Sequence, residues 1–156
     1  MGQSTNAVLA YGYDLGSGEE WKIAEVGEYG DLAVDWFDED HEDGFLGQAE
    51  RRLLNASGFT ETYEDGKDDY FAREGEAKER LGVEFESYCS GEYPMYVLAT
   101  KVITVRRGYS EVLDLPALMA EPAEHGWDDK LTAALTALGI TPKQEQPGWV
   151  LCSYWG

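Results

Sequence analysis

The chain reads as an α+β domain in which about four strands form an antiparallel or mixed sheet packed with two to four helices, with a long acidic excursion near the amino end. Three patterns lead to that reading. Strand-like alternation marks both ends of the chain and a hairpin over 83–108, helical spacing of apolar residues fills the intervals, and residues 16–43 follow neither period. A chain of 156 residues suits a single domain, 1–156, and 43% hydrophobic with 13% aromatic residues is too apolar for wholesale disorder.

The elements follow in order. "NAVLAYGYDL" (6–15) alternates Val8, Ala10 and Gly12 against Leu9, Tyr11 and Tyr13, as a first strand does. Residues 16–43 are an excursion longer than ordinary connections, with a short extended piece near Trp21 to Ala24. From Phe45 the period becomes helical, with Phe45, Ala49, Leu53 and Ala56 on one stripe, Asp43 placed to cap the start and Gly58 to stop the end. "DDYFAREGEAKERLG" (68–82) begins with acids and ends with bases, as the helix dipole favours, and its thin apolar face predicts a surface position.

"VEFESYCS" (83–90) places Val83, Phe85, Ser87 and Cys89 on one face and Glu84, Glu86 and Tyr88 on the other. After a turn at "GEYP", the doubly apolar "MYVLATKVITVRRG" (95–108) reads as the central strand. Residues 114–125 predict a short helix or two turns. "WDDKLTAALTALG" (127–139) predicts a helix with Trp127, Leu131, Ala134, Leu135 and Leu138 inward, and "GWVLCSYWG" (148–156) a final strand.

Charge is the strongest compositional signal. The net charge is −19, from 31 acids and 12 bases, and residues 1–44 hold 12 of those acids with Lys22 as their one base. Such a chain repels nucleic acid and anionic lipid and selects basic partners, so no direct nucleic-acid or membrane contact is expected. No apolar run approaches a membrane span, no basic residue precedes the short apolar stretch at Ala7–Ala10, and two cysteines in a chain of this size need no disulfide; together these read as cytoplasmic.

No motif assigns chemistry. Asp38, Asp40 and Glu42 have the spacing of the first calcium-loop ligands, but Asp43 stands where that loop needs glycine and Ala49 where it needs a bidentate Glu, so no metal site is assigned. His41 and His125 lack paired-ligand spacing, the glycines of "GYDLGSGEE" match no phosphate loop, and nothing in the spacing joins Cys89 to His125. No cofactor and no catalytic residue is expected.

"VEFESYCSGEYPMYVLATKV", "STNAVLAYGYDLG" and the terminal "WVLCSYWG" resemble, over most of the chain, a group of small uncharacterised acidic proteins of actinobacteria and actinobacteriophages. The resemblance implies a cytoplasmic, phage-type protein and transfers no catalytic residue.

A magnitude sharpens the charge argument. A compact chain of this length spans roughly 39 Å, and duplex DNA of that length carries about 23 phosphate charges. The expectation is therefore an acidic protein-binding protein, a nucleic-acid mimic that occupies the basic site of a host or defence protein. Its surface would comprise Asp35, Asp38, Glu39, Asp40, Glu42 and Asp43, with Glu19, Glu20, Glu25 and Glu28 in support and Trp36 and Phe37 as apolar anchors. Local neutralisation by Arg51, Arg52, Arg106 or Arg107 would remove that expectation.

Two alternatives stand beside it. One is an adaptor that uses the aromatic strands (Tyr88, Tyr93, Tyr96, Trp149, Tyr154, Trp155). The other is an enzyme whose mark would be a deep pocket joining Cys89 or His125 to several carboxylates.

Overall fold

The computed structural model describes residues 5–64 and 68–156. In chain order they form β1 (Thr5–Gly16), α1 (Gly44–Ala56), α2 (Tyr70–Leu81), β2 (Glu84–Ser90), β3 (Pro94–Arg106), α3 (Leu115–His125), α4 (Trp127–Leu138) and β4 (Gly148–Trp155). This is an α+β fold with a four-stranded mixed sheet.

β3 is central as its apolar run implies, pairing antiparallel with β1 on one side and β2 on the other; β1 then pairs antiparallel with β4. The sheet curls until β4 meets β2 in parallel at Cys89–Tyr154 and Ser90–Trp155, which closes it into a small barrel. So tight a curl needs irregularities. β1 shifts register against β3 between Tyr11 and Gly12 and again between Asp14 and Gly16, and bulges of this kind bend a strand. At Gly12 the two backbones approach so closely that an added Cβ would overlap the Leu98 carbonyl oxygen, so a side chain there is excluded.

The two faces of the sheet have different fillings. The outer face carries Tyr11, Tyr13, Leu15 and Leu98, which pack under Phe45, Ala49 and Leu53 of α1 and Trp127, Leu131, Ala134 and Leu138 of α4. The inner face holds small residues, Val8, Ala10, Val97 and Ala99, with Tyr88, Val102, Val150 and Cys152 around them, because a four-stranded barrel has little interior to fill.

Helix ends match the sequence reading except at the starts of α1 and α2; α2 begins at Tyr70, with no acid in its first turn and Asp69 left-handed before it. Gly126 ends α3 and starts α4 at φ 63°, a left-handed conformation that lets the chain turn between two helices without a loop. Asp43 does sit at the N-cap of α1, but at φ −73° and ψ −11° it is already helical and its carboxylate makes no capping bond. α2 lies on the surface as expected, held to α1 by Lys78–Glu50 (3.1 Å) and by Arg51 donating to the Tyr70 hydroxyl (2.8 Å). Among the described residues no helix is long and apolar enough to cross a membrane.

Candidate functional site

The acidic excursion is bound to the body by a series of main-chain and side-chain bonds. Isolated bridges join Gly16 to Trp21, Ile23 to Pro142 and Val26 to Leu32, and the Ala24 N–H donates to the Thr141 carbonyl (2.9 Å). Glu25 is committed to this attachment: its carboxylate accepts from the Thr141 N–H (2.7 Å) and hydroxyl (2.8 Å), one oxygen each. Trp36 donates its indole N–H to the Leu138 carbonyl at the end of α4 (2.6 Å).

Phe45 is the hub beneath, with ring contacts to Trp21, Trp36, Phe37, Phe85 and Tyr96 at centroid distances of 4.9–6.3 Å. Trp36 and Phe37 are thus half-buried fasteners that set the position of the loop, with only part of each ring left to solvent.

Asp35, Asp38, Glu39, Asp40, Glu42 and Asp43 are all exposed, as are Glu19, Glu20 and Glu28. Among the described residues no arginine or lysine ion pair reaches any of them. Arg51 donates to the Glu61 carbonyl and Tyr70, Arg52 donates to the Ala137 carbonyl, and Lys22 pairs with Asp14. His41 lies beside them, its Nδ1 accepting from the Asp43 N–H (3.2 Å). The turn is shaped internally: Asp38 Oδ1 accepts from the Asp40 N–H (3.0 Å), and the Gln48 amide bonds both the N–H and the carbonyl of Asp38.

Part of this surface forms a cleft of about 850 Å³. Phe37, Asp38, Glu39 and Asp40 line it together with Gly18, Trp21, Tyr29, Gly30, Asp31 and Leu32. Tyr29 projects almost wholly into solvent at 92% exposure, while Trp21 is buried at 7%. The structure therefore gathers four of the expected residues into one concave site. Asp35, Trp36, Glu42, Asp43, Glu19 and Glu20 fall outside its lining. Trp21, Tyr29 and Asp31 belong to it without having been singled out for it, and the signal was faint, two aromatic residues inside a run of glycine and acid. A cleft with carboxylates and aromatic edges suits a cationic side chain, which gains charge-assisted hydrogen bonds and contact with ring faces.

A second polar cluster sits where β2 and β4 meet. Asp14 accepts from Lys22 Nζ (2.7 Å) and from the Tyr88 hydroxyl (2.7 Å), and these three line a cavity of about 380 Å³ with Cys89, Met95, Val150, Leu151, Cys152 and Ser153. Burial pushes the Cys152 thiol up to about 11, aided by Asp14 and Glu86, and burial with the Asp14 hydrogen bond raises Tyr88 as well. A thiol so raised is a poor nucleophile at neutral pH.

Cys89 does not continue the strand alternation expected of it, since at φ 72° it is left-handed beside the turn. His125 stacks on Trp127 (5.6 Å), and no hydrogen bond joins it to Cys89. Among the described residues no cluster of three or more His, Cys, Asp or Glu is arranged to hold a metal ion. No family model matches the chain, and neither a curated protein nor a solved structure is found to match it.

Proposed function

We propose that the chain is an acidic protein-binding protein whose excursion occupies the basic, nucleic-acid-binding site of a host or defence protein of the phage-type setting that its resemblance implies. One observation carries this reading: the carboxylates of 35–43 are exposed and, among the described residues, free of lysine and arginine ion pairs, while Trp36, Phe37 and Glu25 fix the loop that bears them. A preorganised row of charges loses less conformational entropy on docking than a mobile tail of the same composition. Each lysine or arginine of the partner that exchanges its counterions for these carboxylates gains as it would on DNA.

Immobilised protein incubated with nuclease-treated actinobacterial lysate tests the proposal. A basic protein should be retained at low salt, released as salt rises, and displaced by an added duplex oligonucleotide. Retention should fall in the variant Asp38→Asn/Glu39→Gln/Asp40→Asn. Recovery of nothing that duplex DNA displaces would refute the mimicry.

The exposed aromatics support a second reading. Tyr93 and Trp155 are each 55% exposed and stand at one end of the barrel, where Ser90 pairs with Trp155. An adaptor working through them would keep its partner when the acids are neutralised and lose it on Tyr93→Ala or Trp155→Ala.

A further inference from the structure

The barrel closes unevenly. β2 and β4 run parallel but pair at only two positions, Cys89–Tyr154 and Ser90–Trp155, near their carboxyl ends. Each has its other edge occupied, β2 by β3 from Glu84 to Cys89 and β4 by β1 along its full length. Among the described residues the facing edges, Glu84–Tyr88 and Gly148–Ser153, have no strand partner, and no turn or loop backbone bond reaches them. Along a strand, alternate residues direct N–H and C=O away from a given neighbour, so both edges present unused donors and acceptors. The cavity of about 380 Å³ opens beside them, lined by Tyr88 and Cys89 from one, by Val150, Leu151, Cys152 and Ser153 from the other, and by Asp14, Lys22 and Met95.

Side-chain direction adds a charge requirement. Glu84 stands opposite Ala99 and Glu86 opposite Val97, both fully buried inner-face residues, so the register puts both glutamates on the face of β2 that carries Tyr88, Glu86 half-buried and Glu84 still exposed at the rim. Burial raises both acids, and Glu84 adds to the effect on Glu86. Neither has a hydrogen bond or ion pair among the described residues. Asp14, shared by Lys22 and Tyr88, lies beside them with its charge matched by Lys22, so the unpaired negative charge at the opening is that of Glu84 and Glu86. On the outer side of the same opening stands Leu151, 77% exposed.

We propose that the opening between β2 and β4 is a strand-addition site for an extended segment of a partner protein in which basic residues alternate with apolar ones. The segment's main chain bonds the free edges, its basic side chains face Glu84 and Glu86, and its apolar side chains cover Leu151. The same carboxylates keep a second copy of this acidic chain from pairing there, since inward charges on an edge disfavour the wrong strand as they select the right one. This site is separate from the excursion and does not depend on the mimicry.

The probe is a capped octapeptide of alternating Lys and Val, titrated into the full-length protein and followed by amide hydrogen exchange. Binding should protect amides within 84–88 and 148–153. A version with proline at two central Val positions should not bind, because it lacks the N–H groups. Glu86→Gln should weaken binding by about tenfold, whereas Asp38→Asn/Glu39→Gln/Asp40→Asn should leave it unchanged. The inference is overturned if the octapeptide does not bind, if the proline version binds as well, or if protection appears on the excursion and disappears with the triple variant. The proline comparison uses the unaltered protein and so is independent of how any variant folds.

Discussion

The excursion and the opening between β2 and β4 are both negative, but for opposite structural reasons. In the excursion the acids of 35–43 are dense in sequence and face water, so their effect is additive and long-ranged and is screened by salt. At the opening the acids are few and come from two distant strands, Asp14 from β1 and Glu84 and Glu86 from β2, and partial burial makes the two glutamates harder to charge. The first surface attracts a basic partner from a distance; the second discriminates at contact. Linear charge density describes only the first, because burial is a property of the fold.

Removing the support of one region tests whether the two are independent. Phe45→Ala deletes the hub under Trp21, Trp36 and Phe37 and should cost about 3–5 kcal/mol of stability in urea unfolding. If the protein remains folded, tryptophan emission should shift to the red as the excursion loosens, while Cys152 keeps its low reactivity. Exposure of Cys152 in the same variant would show that the regions unfold together.

That thiol supplies the next largest effect. A value of about 11 against an ordinary 9.0 leaves Cys152 about 100-fold less thiolate than an unshifted cysteine near neutral pH. Thiol–disulfide exchange with an aromatic disulfide reagent should therefore be biphasic, with exposed Cys89 fast and Cys152 slow, as the single variants Cys89→Ser and Cys152→Ser would assign. Equal rates would mean that the opening admits water freely.

How much of this was legible beforehand follows from the range of each interaction. α4 and β3 depend on local period alone, so Leu131, Ala134 and Leu138, and the buried run Val97–Leu98–Ala99, could be placed from sequence. Closure of the barrel could not, since it rests on two residue pairs between strands far apart in the chain, with no pattern to mark them. Alternation in 83–90 separates the Glu84, Glu86 and Tyr88 face correctly, but a face bearing two glutamates reads as solvent-facing, and only the curl half-buries Glu86 and Tyr88 while Glu84 stays exposed. The excursion's acids were evident from composition. Their gathering into a cleft with Trp21, Tyr29 and Asp31 depended on contacts with the segment after α4, which nothing in a local window reports.

A smaller effect separates the two regions by pH. For Glu84 and Glu86 the folded state holds the proton more tightly than the unfolded chain does. Their favourable contribution is complete below the ordinary glutamate value of about 4.3 and is lost as pH rises through the raised folded values. The groups facing them, Asp14, Lys22, Tyr88 and Cys152, remain in place in Glu86→Gln. That variant should therefore melt higher than wild type at pH 7, by a margin that narrows toward pH 5. A constant margin would assign the effect to packing and not to charge.

The smallest expected effect belongs to the excursion, and salt isolates it. Exposed like charges within a few ångströms repel through water, where each contact is worth only a fraction of a kcal/mol and is screened beyond about 10 Å at moderate ionic strength. Moderate sodium chloride should raise the melting temperature of the wild-type protein slightly, and Asp38→Asn/Glu39→Gln/Asp40→Asn should reproduce part of that rise at low salt and respond less to added salt. Glu86→Gln should keep nearly the full salt response, because partial burial shields its interactions from mobile ions. If instead Glu86→Gln removed the salt response and the triple variant kept it, the self-repulsion of this chain would reside at the opening, and the excursion's acids would be too widely spaced to act as one surface.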